Sequence, residues 1–121
     1  MKQLILYLLL LLLFVEISYA QTPTVPTLRF PNNRENRLDT VFTLVWSQNA
    51  GDSVYHLQLC RISTFDSLFI VDDSTLTTSF KNVDALSRSK TYWWKVRAIN
   101  GSGASAYSSV RRFTIKSTKH P

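Results

Sequence analysis

The chain has 121 residues, with 14 Lys and Arg against 8 Asp and Glu and a formal net charge of +6. That length holds one domain with one core, and the single cysteine, Cys60, excludes an intrachain disulfide. The charge reads as a solvated basic surface with weak attraction to polyanions, and not as a nucleic-acid binder.

The start does not belong to the domain. Met1-Lys2 is a short positive opening, Leu4 to Val15 is an unbroken apolar run, and Ser18-Tyr19-Ala20 ends on a small residue. This is the order of a secretory signal peptide over residues 1–20. Glu16 stops the run well short of the ~20 apolar residues of a membrane span. The expected product is secreted, extracellular or at the cell surface, with no membrane attachment after cleavage. Pro23 and Pro26 among threonines make residues 21–27 an extended linker.

From there apolar residues come in short alternating runs divided by Gly, Asn, Asp and Ser, with no helical periodicity. Leu28-Arg29-Phe30, flanked by prolines, is a first strand at a sheet edge. Residues 32–39 are polar and read as a loop. Thr40 to Trp46 is a strand with Phe42, Leu44 and Trp46 on one face. After the Gly51-Asp52 turn, Val54 to Arg61 sets Tyr55, Leu57 and Leu59 against His56, Gln58 and Cys60. Leu68 to Val71 is a strand stopped by Asp72-Asp73, and Thr77 to Phe80 another. A loop carrying Leu86 follows. Thr91 to Ile99 alternates most clearly, with Tyr92, Trp94, Val96 and Ala98 on one side and Trp93, Lys95 and Arg97 on the other. Asn100-Gly101-Ser102-Gly103 is a turn and fits a glycosylation acceptor. Val110 to Ile115 is the last strand, and 116–121 a polar tail.

Seven short strands with regular turn signals are the pattern of an all-β, antiparallel Greek-key β-sandwich over residues 28–115. Its core is expected to hold Trp46, Tyr55, Leu86, Tyr92, Trp94 and Phe113. Each aromatic ring would remove about 150–250 Å² from water, which lets a small domain stand without a disulfide.

The strand ending Phe42-Thr43-Leu44-Val45-Trp46, then Leu86 ahead of Tyr92-Trp93-Trp94-Lys95-Val96-Arg97-Ala98-Ile99-Asn100-Gly101-Ser102-Gly103, resembles the fibronectin type III signature. The resemblance covers Thr27 to Ile115 and is to the single modules of secreted bacterial proteins. It implies an immunoglobulin-like sandwich, with Trp46 between the sheets and the Tyr92 hydroxyl bonded to backbone near Leu86. The immunoglobulin pattern itself, which needs Cys…Trp…Cys spacing, fits worse. The Arg-Gly-Asp adhesion tripeptide is absent, since Gly51-Asp52 follows Ala50.

Catalytic constellations are not apparent, and no enzyme or cofactor is expected. The only histidines are His56 and His120. His56 and Cys60 share a strand face, but four residues separate them by about 13 Å, too far for a nucleophile–base bond. Asp72-Asp73 lacks the spaced oxygen ligands of a calcium loop. Cys60 reads as a half-buried strand residue.

The feature that suggests function is Trp93, Lys95 and Arg97 facing outward near His56, Gln58 and Arg112, a candidate binding face. The plainer reading covers Trp93 with the arginine and lysine stems of its own sheet. The expected function is a secreted, non-catalytic module for protein interaction or domain spacing, monomeric, with a carbohydrate-binding accessory module of an exported enzyme as the alternative. The partner is an unidentified protein or polysaccharide.

Overall fold

A computed structural model describes residues 21–118, so the signal-peptide segment 1–20, His120 and the end of the tail lie outside the described residues. Two sheets face each other. The smaller has the order β1-β3-β6, from β1 (Leu28–Phe30), β3 (Phe42–Trp46) and β6 (Phe80–Val83). The larger runs β2-β9-β7-β4-β5, from β2 (Glu35–Leu38), β9 (Arg111–Ile115), β7 (Thr91–Asn100), β4 (Val54–Cys60) and β5 (Phe69–Leu76). The two-residue β8 (Gly103–Ala104) folds back on the end of β7. Among the described residues no helix is long and apolar enough to cross a membrane.

Period-two alternation dictates which residues enter the gap between the sheets. In β7, Tyr92, Trp94, Val96 and Ala98 are buried while Trp93, Lys95 and Arg97 are half-buried on the opposite face. Trp46, Tyr55, Leu86, Tyr92, Trp94 and Phe113 all sit in one continuous core. Their rings pack by edge and by stack: Trp46 meets Tyr55 at 5.6 Å and 70°, and Tyr92 lies on Phe113 at 5.6 Å and 23°. These arrangements suit the ring quadrupoles. The Tyr92 hydroxyl accepts the Ser87 backbone N–H at 2.8 Å, pinning the loop after β6 to the core. Cys60 is fully buried rather than half-buried, and its thiol donates to the Ser67 carbonyl at 2.7 Å.

Three differences from the sequence reading have local causes. Residues 32–39 are not all loop: β2 pairs with β9, and the pairing is parallel, so the sandwich is not wholly antiparallel. One buried residue, Leu38, is all the apolar signal that strand carries. Asp72-Asp73 does not stop the fourth predicted strand but lies inside β5. Each carboxylate has its own partners there: Asp72 accepts from Gln58 at 3.3 Å and meets His56 Nε2 at 2.6 Å, and Asp73 accepts from the Thr75 backbone N–H and hydroxyl. The strand expected over Thr77 to Phe80 begins only at Phe80, because β3 pairs with Phe80–Val83. The segment ahead of β9 is also bonded to β7. Ser105 and Ser108 donate backbone N–H groups to the Ala98 and Val96 carbonyls, and their hydroxyls accept the Ala98 and Val96 N–H groups. Two serine oxygens thus stand in for main-chain carbonyls along one side of β7 before β9 begins.

Candidate functional site

The outward face of the larger sheet gathers the residues that sequence singled out. Register places His56 opposite Arg97, Gln58 opposite Lys95 and Cys60 opposite Trp93 across β4–β7, and Trp93 opposite Arg112 across β7–β9. Cross-strand partners on one face are near neighbours. The six residues Trp93, Lys95, Arg97, His56, Gln58 and Arg112 therefore share one surface, but they divide into two groups.

The first group is closed on itself. The serine-supported segment swings Tyr107 back over β7. The Tyr107 ring lies 4.4 Å from the Lys95 ammonium and 4.9 Å from the Arg97 guanidinium. Lys95 is held from its other side by the Phe65 ring, also at 4.4 Å. The Tyr107 hydroxyl is 2.8 Å from His56 Nδ1, and His56 Nε2 is 2.6 Å from Asp72 Oδ1. An ionised carboxylate only accepts, so Nε2–H donates to Asp72, and in the neutral ring Nδ1 accepts the Tyr107 hydroxyl proton. The His56 hydrogen bond holds the Asp72 carboxyl below its ordinary range, partly opposed by burial. Burial pushes the Tyr107 phenol up, with Asp72 adding and Arg97 opposing. Gln58 completes the group through Asp72. Both His56 ring nitrogens are engaged and the Cys60 thiol is buried on Ser67, so the two form no nucleophile–base pair.

The second group is open. Trp93 and Arg112 line a shallow cavity of about 380 Å³ with Asn33, Arg34, Ser63 and Val110. The Lys95 ammonium and the Arg97 guanidinium lie over Phe65 and Tyr107, and Trp93 beside them is half-buried. The wall opposite Trp93 is clamped. Arg112 donates its backbone N–H to Asn33 Oδ1 at 3.1 Å, and its carbonyl accepts the Arg34 N–H at 2.8 Å. The Arg111 guanidinium donates to the Pro31 carbonyl at 2.9 Å. Arg34 is held at a φ of 67°, the left-handed region that a side chain enters only under constraint. Among the described residues no ion pair or hydrogen bond occupies the side chains of Arg34, Arg112, Trp93 or Ser63.

Asn33, Arg34, Ser63 and Tyr107 were not legible as site residues, since each lies in a loop far from its neighbours in sequence. The Ser105–Ser108 spacing around a lone tyrosine was the one available signal. A larger cleft of about 710 Å³ lies at the end of the sandwich, between Gln21–Thr24, the turn around Gly51 and Asn100–Ser102. Asn100 donates there to the Gln21 carbonyl at 2.9 Å. No charged or aromatic side chain lines it.

No protein-family model matches the chain, and no curated protein matches it. Solved structures do. A fibronectin type III domain of human fibronectin type III domain containing protein 3 is 25% identical, with a TM-score of 0.60 over 86% of this chain and 95% of that one. An Fn3-like protein from Clostridium thermocellum is 14% identical, with a TM-score of 0.58 over 83% of this chain and 100% of that one. A β-1,2-glucanase from Parabacteroides distasonis is 13% identical, with a TM-score of 0.55 over 83% of this chain and 14% of the enzyme.

Proposed function

We propose that this fibronectin type III domain is a secreted, non-catalytic binding module whose working surface is the outward face of the larger sheet. The observation that carries the reading is the contrast on that face: most of its charged and aromatic groups satisfy one another, while Trp93, Arg34 and Arg112 stay open around a formed cavity. Open aromatic and arginine side chains are the residue types that anchor partners. Export rests on the signal-peptide pattern of residues 1–20. N-terminal sequencing of protein recovered from culture medium is expected to begin at Gln21; retention of the first twenty residues refutes export by cleavage.

Two partners fit such a surface. One is another protein, or a neighbouring domain for which the sandwich is a spacer. The second is a saccharide, making the chain an accessory module of an exported enzyme. Concavity favours the second, since ligand clefts of ~300–1,000 Å³ hold small molecules and the Trp93 cavity is about 380 Å³. A fold of this shape also occurs within a β-1,2-glucanase. A glycan array separates the two: binding that disappears in Trp93→Ala supports the saccharide, and silence across the array leaves the protein partner or spacer.

A further inference from the structure

The polar side chains around Trp93 are mostly donors. The Arg34 and Arg112 guanidiniums carry only N–H groups, and so does the Trp93 indole nitrogen. Asn33 Oδ1 already accepts the Arg112 backbone N–H at 3.1 Å, which leaves one lone pair beside its two amide hydrogens. The Ser63 hydroxyl can both donate and accept. No carboxylate lines the cavity. A neutral sugar needs acceptors for its hydroxyl protons, and this wall offers few. A ligand with an anionic substituent needs only donors, and arginine meets a carboxylate with two parallel bonds. The floor supplies a half-buried indole with Val110 exposed beside it, an apolar platform for one face of a ring. The loop carrying Arg34 is fixed by three hydrogen bonds to the Arg111-Arg112 pair, so its backbone is set before any ligand arrives.

We propose that the Trp93 cavity binds an acidic sugar residue, its ring stacked on Trp93 and its carboxylate held between Arg34 and Arg112. This rests on the saccharide reading above and narrows it to uronate-bearing chains. The six lining residues come from three separate parts of the fold: the loop before β2, the loop after β4, and the paired strands β7 and β9 with the approach to β9. The site therefore exists only in the folded domain.

The test uses the exported chain and three probes: an oligogalacturonate, the same oligomer with its carboxyls methyl-esterified, and inorganic phosphate. Calorimetric titration is expected to show binding of the acid form that falls as salt rises, and at least roughly tenfold weaker binding of the ester. Arg112→Gln and Arg34→Gln should each weaken the acid form by roughly tenfold and the ester little. Trp93→Ala should weaken both, and unchanged far-ultraviolet circular dichroism would establish that each variant is folded. Equal affinity for acid and ester, with loss in Trp93→Ala, overturns the acidic specificity and keeps the saccharide reading. Phosphate binding as tight as the oligomer overturns the ring-stacking claim. Binding of none of the probes, with a silent glycan array, overturns both the inference and the reading beneath it.

Discussion

The Tyr107 cluster and the Trp93 cavity occupy the same face of the same sheet, and each is built around a residue held at positive φ. In the cluster that residue is Phe65, at 57°, whose ring closes over Lys95. In the cavity it is Arg34, at 67°, whose guanidinium closes over nothing among the described residues. A left-handed backbone at a non-glycine residue costs on the order of 1–3 kcal/mol. At Phe65 the cation–π contact offsets part of that cost within the folded domain. At Arg34 no comparable contact is present. The difference separates a region whose side chains engage one another from one whose side chains stay unengaged among the described residues.

The largest expected effect tests the closed side. Tyr107→Ala removes two cation–π contacts and the His56 hydrogen bond, and should destabilise the domain by about 2 kcal/mol. Thermal melting should drop by roughly 10 °C for a domain of this size. Oligogalacturonate affinity should be unchanged. If melting holds and binding is lost, the division between the two regions is wrong. Next in size is Arg112→Gln. Its stability change should stay within about 0.5 kcal/mol, as for an exposed substitution, while the tenfold loss of affinity corresponds to about 1.4 kcal/mol.

Arg34→Gly sharpens the comparison with an effect of opposite sign. Glycine adopts positive φ freely but loses more chain entropy on folding. The net gain should be about 0.5 kcal/mol, read as a higher denaturation midpoint, together with weaker binding of the acidic oligomer. A lower midpoint would mean that the Arg34 side chain contributes to the fold. The smallest effect concerns pH. Asp72 titrates below its ordinary value of 3.8 because His56 donates to its ionised form. Between the lowered folded value and the unfolded one, the unfolded chain binds more protons, so stability rises with pH across that window. The contribution is present above the unfolded value and is lost as pH falls through the folded one. Asp72→Asn should flatten the acid limb of the stability–pH curve below about pH 4 and leave ligand binding intact.

What could be read in the sequence follows from how far each signal reaches. Tyr92-Trp93-Trp94-Lys95-Val96-Arg97-Ala98 declares its two faces by alternation alone, and burial along β7 follows that alternation residue by residue. Trp46, Tyr55 and Phe113 were legible for the same reason. β2 was not, because Glu35–Leu38 is polar and becomes a strand only by lying parallel to β9, a partner more than seventy residues away. Asp72 and Asp73 resemble a strand end until His56, Gln58 and Thr75 are seen to hold them. The candidate face was half legible. Register gave the neighbours of Trp93 on its own sheet, while Asn33, Arg34 and Ser63 arrive on loops. The fate of Lys95 and Arg97 turned on Tyr107, which alternation does not reach because Ser105 and Ser108, not main-chain carbonyls, set its position.

The carboxylates in β5 have a further consequence. β5 is the outer strand of its sheet and leaves one side unpaired, with Phe69 and Ile70 exposed at one end. Such strands tend to zip onto copies of themselves. The midpoint of Phe69–Leu76 falls between Asp72 and Asp73. Two β5 strands meeting antiparallel near that midpoint, with their outward faces continuous, would set Asp72 against the Asp72 of the other copy with both Asp73 carboxylates close by, concentrating four negative charges at the centre of the contact. Like charges directly opposed are destabilising. The same aspartate that steadies His56 thus places like charges at the open rim of the sandwich, which opposes such pairing at neutral pH.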